Sequence, residues 1–362
     1  MRRISKIIAP LLLILLLVAG CQAAPKEEAK TQYRNEFFEY FDTVTKVIAY
    51  TDSKEEFDAE FEVIKDEFKR YHELYDTYHT YEGINNLKTI NDNAGIEPVE
   101  VDQEIIDLIL FSREWYEKTN GKANIAMGAV LKVWSEYREE GMDFPDDAKL
   151  PPMDLLEEKN KHTDINKIIV DEEKSTVFLE DPEMSLDVGA VAKGFATEKV
   201  SDLMRERGFT SLIISAGGNV RALDKPLDGV RERWGIGIQN PDESIFTDRD
   251  SLDTVFNTNI SVVTSGDYQR YYYVDEVKYH HLIDADTLMP GTQFKAVTVV
   301  MEDSGLADFM STTLFLSTLE EGKEMLSKIE GAHAIWVTHD NEIILTEGFE
   351  KMLKSGGASG AD

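Results

Sequence analysis

The 362 residues carry 69 acidic and 38 basic side chains, a formal net charge of −31. That balance excludes nucleic acid and acidic lipid as direct electrostatic partners, and it means that an anionic ligand needs a cation to mediate its binding. Hydrophobic residues make up 42% of the chain, enough to bury the core of one large domain or of two intimate ones.

Arg2, Arg3 and Lys6 open the chain, and an apolar run from Ile7 to Val18 follows. The run is shorter than the roughly 20 residues a spanning helix needs. It ends in Val18-Ala19-Gly20-Cys21, which resembles the bacterial lipobox, where the cysteine is lipidated and becomes the first residue of the mature protein. An uncleaved anchor or an ordinary signal peptide is the alternative. The expected layout is a lipoprotein signal peptide over 1–20, a tether over 21–33, one domain over 34–350 and a disordered tail over 351–362. The expected location is the extracytoplasmic face of the cell membrane, held there by lipid. Cys21 is the only cysteine, so internal disulfides, a cysteine metal site and a thiol nucleophile are all excluded.

Phe37 to Tyr50 predicts a strand. Phe57, Phe61, Ile64, Phe68, Tyr71 and Tyr75 repeat at helical spacing and predict an amphipathic helix whose aromatic stripe is core. A polar loop follows, from Asp76 through Tyr78 to Asn93, with aromatics placed to line a cleft. Asp102 reads as the N-cap of a second helix that Asn120-Gly121 ends. Residues 137–162 are charged, contain three prolines and read as a solvent-facing excursion with a short helix. Ile168 to Leu179 predicts a hairpin. It delivers the stretch Leu186-Asp187-Val188-Gly189-Ala190-Val191-Ala192-Lys193-Gly194, small residues turning into a helix. Such a turn brings backbone close to a phosphorylated ligand, although a plain tight connection uses the same residues. Strands follow at Ser211–Ser215, Trp234–Gln239 and Asn259–Val263, then a hairpin about Asp275-Glu276 and a strand at Lys295–Met301. An apolar helix over Leu306–Phe315, one more helix and a hairpin about Asp340-Asn341 close the pattern. Hairpins mixed with helices point to α+β with mostly antiparallel sheet.

Asp308 and Thr312, four apart on one helical face, offer hard oxygen donors of the kind Mg²⁺ takes. A threonine bonded back into its helix and a capping aspartate account for the same spacing. His281, close to Asp284, is a candidate general base; two histidines on a hairpin, one facing each way, is the structural alternative.

In this order, Asp187-Val-Gly-Ala-Val-Ala-Lys193-Gly-Phe-Ala, Ala216-Gly-Gly-Asn219 and Trp234-Gly-Ile-Gly-Ile-Gln-Asn-Pro241 resemble the ApbE-like FAD:protein FMN transferases. So do Thr264-Ser-Gly-Asp-Tyr268, His281-Leu-Ile-Asp284 and Ala307-Asp-Phe-Met-Ser-Thr312. The resemblance implies a single large α+β domain, related to the T-fold, with packed helices and a flavin cleft in the middle. It implies Mg²⁺-dependent transfer of FMN from FAD to a threonine of an exported acceptor protein, releasing AMP. By position, Ala190, Asp308 and Thr312 become metal ligands, and Phe41 (in the first strand), Tyr78, Asp187, Lys193 and Ile283 become FAD contacts. His281 becomes the base, with Lys193 assisting. The chain departs from the family at Asn124, where aspartate is usual, at Ala129, where proline is usual, and over Ala285-Asp286-Thr287-Leu288. An FAD pyrophosphatase and a non-catalytic flavin-binding lipoprotein are the alternative functions.

Overall fold

The computed structural model describes residues 29–242 and 251–361. The expected signal segment, Cys21 and residues 22–28 of the expected tether lie outside them. The first third comprises β1 (Thr31–Phe37), β2 (Thr45–Thr51), α1 (Lys54–Tyr75), α2 (Leu87–Asp92), β3 (Val99–Glu100), α3 (Gln103–Lys118) and α4 (Gly128–Asp143). Next come α5 (Met153–Asn160), β4 (Ile168–Asp171), β5 (Thr176–Leu179), α6 (Ala192–Glu206), β6 (Leu212–Ala216), β7 (Asn219–Leu223), β8 (Trp234–Gln239) and β9 (Ser251–Asn257). The last third is β10 (Ile260–Gly266), β11 (Tyr271–Val274), β12 (Val277–His280), β13 (Phe294–Met301), α7 (Ser304–Phe315), α8 (Leu319–Leu326), β14 (His333–Thr338) and β15 (Ile343–Leu345).

Eight strands form one sheet in the order β1-β2-β6-β7-β10-β13-β14-β15, with every neighbour antiparallel. The two-residue period of a strand divides its side chains between two cores. Val47 and Ala49 of β2, Leu212 and Ile214 of β6, and Val297 and Val299 of β13 enter the larger one, with helices α1, α6 and α7. Tyr50, Ile213, Val300 and Ile335, from the alternate positions, face the β8–β9 ribbon and the C-terminal residues Phe349 and Leu353. A third cluster joins Trp134 of α4 to Tyr272 and Ile283 beside the β11–β12 hairpin. Helix α7 is buried along its whole length, which explains a sequence apolar on nearly every face. Among the described residues no helix is long and apolar enough to cross a membrane.

The α+β expectation holds, with local corrections. The strand expected over Phe37–Tyr50 is two strands, because Phe41 and Asp42 turn the chain at φ 57° and 51°; Phe41 therefore lies in a loop and not in a strand. The domain begins before residue 34, since β1 starts at Thr31 and the Lys30 N–H bonds the Leu227 carbonyl at 2.7 Å. The tail is ordered through Ala361: the Gly360 carbonyl accepts the Glu232 N–H at 2.7 Å, and Leu353 is buried. Asp102 occupies the N-cap of α3 but makes no side-chain cap bond, whereas Ser53 caps α1 by accepting the Glu56 N–H. The 137–162 stretch is more than an excursion, because its first part continues α4 down to Asp143.

The crossing of α6 and α7 is set by Gly194. A Cβ there would lie 2.3 Å from the Ser304 carbonyl oxygen and 2.4 Å from Asp308 Cβ. Both contacts are backbone or near-backbone, so nothing can swing aside. Gly194→Ala is expected to force the helices apart and to destabilise the protein by about 1–3 kcal/mol, the usual cost of overpacking. Thermal unfolding of the variant checks this, and an unchanged Tm would contradict the contact.

Candidate active site

The loop ahead of α6 is pinned from both sides. Asn91 accepts the Leu186 N–H at 2.7 Å and donates to the Leu186 carbonyl at 3.0 Å, the reciprocal pairing a side-chain amide makes with one residue's backbone. The Asp187 N–H bonds the Ile125 carbonyl at 2.8 Å, and Gly128 packs against Ser185 so closely that a Cβ would fall 2.3 Å from its carbonyl oxygen. The turn and the Asn124–Gly128 segment thus form one wall. The Asp187 carboxylate accepts the Gly189 N–H at 2.8 Å. Burial pushes its carboxyl up, against Gly189, Arg270, Arg138 and Lys193.

This wall borders a cleft of about 1970 Å³ that reaches from the β1–β2 loop to α7. Phe41, Tyr78, Asp187, Ala190, Lys193, His281, Ile283, Asp308 and Thr312 all line it. These nine residues come from five separate chain segments, so the fold brings together every cleft residue expected from the sequence. Cys21 lies outside the described residues.

At the floor, Asp308 is 6% exposed and Thr312 8%. The Asp308 Oδ2 accepts the Gly194 N–H at 2.8 Å. Burial pushes the Asp308 carboxyl up, opposed by Lys193, the Gly194 N–H and the Asn219 amide. Thr312 Oγ1 lies 3.3 Å from Ser265 Oγ, which is itself 2.7 Å from Ser311 Oγ. Among the described residues no three or more His, Cys, Asp or Glu side chains cluster as a metal site. The donor set is instead the buried Asp308 carboxylate, which forms no ion pair among the described residues, the Thr312 hydroxyl and the main chain of Ala190, a residue that lines the cleft. Hard oxygens with a single negative charge fit Mg²⁺, which keeps several waters and takes its remaining ligands from substrate phosphate.

The two histidines differ sharply. His280 Nε2–H donates to the Gly291 carbonyl at 2.7 Å, its Nδ1 accepts the Leu282 N–H at 3.2 Å, and its ring meets Phe315 edge-on. It fastens the end of β12. His281 lines the cleft, and its Nδ1 is buried without a partner. Burial, then the nearby Arg270, His280, Arg138 and Lys193, bring its pKa down to about 3, so the ring is neutral at pH 7. Asp284, close to His281 in sequence, accepts the Asp286 N–H at 2.7 Å and faces Lys122 at 4.0 Å.

Arg138 and Arg270 are cleft residues that sequence reasoning missed. Arg138 sits in the charged stretch taken for an excursion; its place four residues after the buried Trp134 on α4 was the available signal. Arg270 follows Thr264-Ser-Gly-Asp-Tyr268 on a turn, where no periodicity tells which way it points. Burial, then repulsion from Arg270, lowers the Arg138 pKa.

Residues 41–336 match the ApbE family. A FAD:protein FMN transferase of Klebsiella pneumoniae (strain 342) is 33% identical over 280 residues, covering 77% of this chain and 82% of that one. One of Treponema pallidum (strain Nichols) is 31% identical over 274 residues, 72% of this chain and 73% of that one. The solved structure of the ApbE protein of Thermotoga maritima superposes with a TM-score of 0.76 at 26% identity, over 89% of this chain and 99% of that one. The flavin transferase ApbE of Vibrio cholerae shares the fold, with a TM-score of 0.72 at 19% identity over 90% of this chain and all of that one. On the extent of these matches, and with the residues of its six sequence motifs folded around one cleft, the chain belongs to the ApbE family.

Proposed function

We propose that this chain is an FAD:protein FMN transferase that moves FMN from FAD onto a threonine hydroxyl of an exported acceptor protein. The observation that carries the reading is the convergence of nine residues, from five segments, on one cleft. The relatives named above carry the activity in their names. Phe41, Tyr78, Asp187, Lys193 and Ile283 hold FAD, while Asp308, Thr312 and the Ala190 carbonyl hold Mg²⁺. When bound, the ion supplies charge neutralisation and Lewis acidity at the pyrophosphate.

The threonine oxygen attacks the FMN phosphorus, and the bond from that phosphorus to the bridging oxygen breaks. AMP leaves with the bridging oxygen and its electron pair. Lys193, at the first turn of α6, lies where it offsets the charge that builds on the leaving phosphate. The threonine proton passes to the neutral His281 imidazole, whose Nδ1 has no competing partner. Water in place of threonine gives free FMN and AMP, so acceptor and hydrolysis compete for one site.

Asp308→Ala removes the only carboxylate of the metal set and is expected to abolish Mg²⁺-dependent AMP release from FAD. AMP release near the parent rate in Mg²⁺ would refute the assignment. His281→Asn is expected to slow single-turnover flavinylation by roughly 10²–10⁴-fold, the range for a lost general base, while leaving FAD affinity nearly unchanged. His280→Asn, by contrast, is expected to lower the Tm through loss of the Gly291 bond more than it lowers the rate.

A lipid anchor at Cys21 would hold this chemistry at the extracytoplasmic face of the cell membrane. It is supported by the lipobox-like Val18-Ala19-Gly20-Cys21 alone. Cys21→Ala is expected to release active enzyme into the soluble fraction; fractionation with membranes after a high-salt wash would count against it.

A further inference from the structure

Two aromatic residues of the cleft wall, Phe41 and Tyr78, are held by a single chain of hydrogen bonds through His72, Tyr81 and Asp76, of which His72 and Asp76 border the cleft too. Asp76, whose side chain is 4% exposed, accepts the Tyr78 N–H at 2.6 Å and the His79 N–H at 3.1 Å on Oδ1. Its Oδ2 accepts the Tyr81 hydroxyl at 2.8 Å and pairs with His79 Nδ1 at 3.0 Å. Burial works against the Asp76 carboxylate, but the donors Tyr78, Tyr81 and His79 outweigh it and hold its pKa low. Burial, then the bond to Asp76, pushes the Tyr81 phenol up, which keeps it a donor.

The direction of that bond fixes the rest. A Tyr81 hydroxyl that donates to Asp76 receives, at 3.5 Å, the proton on His72 Nε2. His72 Nδ1 is then left as an acceptor, and the Phe41 N–H points to it at 3.4 Å. Phe41 needs such a hold. It sits at φ 57°, next to Asp42 at φ 51°, a left-handed pair that costs free energy and persists only where neighbours enforce it. The His72 ring also meets Phe41 at 5.6 Å and Tyr40 at 5.8 Å between centroids.

We infer that Asp76, Tyr81 and His72 are positioning residues: one directed chain, from the Phe41 N–H through His72 and Tyr81 to Asp76 and back to the Tyr78 N–H, sets the two aromatic walls against a planar ring ligand. The inference rests on the flavin reading proposed above. The two links through His72 are long, so the effect of cutting them is modest and falls on binding.

Tyr81→Phe deletes the middle of the chain and keeps the ring. His72→Phe keeps the ring contacts and removes both nitrogens. In each variant, amide hydrogen exchange at Phe41 is expected to speed up in the free protein, while exchange at Val47 in β2 stays as in the parent. The KM for FAD and the FAD concentration that half-quenches flavin fluorescence are expected to rise roughly 2–10-fold, as for one lost neutral hydrogen bond, with kcat unchanged. A general loss of stability would instead move Val47 exchange and kcat together. Unchanged Phe41 exchange in Tyr81→Phe overturns the chain. Faster exchange with unchanged FAD affinity overturns its role in placing the ligand. A parent protein that fails to quench FAD overturns the flavin reading, and the exchange result then decides the hydrogen-bond chain by itself.

Discussion

The hydrogen bond from the Gly194 N–H to the Asp308 carboxylate, 2.8 Å long, is the contact on which the site depends. An ionised carboxylate inside a helix that is buried throughout is costly unless donors face it. The donor here is backbone at the first turn of α6, reachable only because residue 194 has no side chain. The same crossing is braced from behind. Glu198 of α6 takes the Ser304 N–H at 2.7 Å at the start of α7, and it pairs with the fully buried Arg221 of β7 at 3.0 Å. Asn219, two residues along the same strand, receives the Ser304 hydroxyl at 2.7 Å. Three elements distant in sequence are thereby locked at one point, and Lys193 and Asp308 are placed together as a result.

How much of this was legible follows from the range of each signal. Helix α7 announced itself, because an apolar run broken only by small and hydroxyl residues has no stable place except the interior. The turn into α6 was equally plain, since small residues between a hairpin and a helix leave few alternatives. Phe41 was misplaced for the opposite reason. Its left-handed backbone is imposed by contacts with His72 and Phe68, and no glycine or asparagine marks the turn in the sequence. Arg221 and Glu198 lie 23 residues apart, and neither spacing nor composition distinguishes a buried ion pair from two surface charges. The residues from 351 read as a Gly- and Ser-rich tail, yet Leu353 joins Phe349 in the core beside the β8–β9 ribbon, and the Lys354 N–H bonds the Thr254 carbonyl of β9.

The cleft is less acidic than the chain around it, because lysines and arginines stand among its acidic residues. The protein as a whole is strongly acidic, but Lys193, Arg138 and Arg270 enter the cleft, and among the described residues none of the three forms an ion pair. Like charges held together in a partly dry cleft repel, and they also repel any further proton nearby. Their effect is visible on His281, whose low pKa comes from burial first and from these cations next. In the free protein the ring is therefore neutral but a poor base.

Part of that weakness comes from the three cations, which a bound anion would offset. In the proposed reaction the ligand carries a pyrophosphate, which would offset Arg270, Arg138 and Lys193 but not the burial that lowers the His281 pKa most. Relief of that repulsion would favour a proton on the imidazole, and a base whose pKa moves toward the working pH is a better catalyst. Affinity for the nucleotide and competence of the base are thus coupled through the same three cations, without any movement of the backbone.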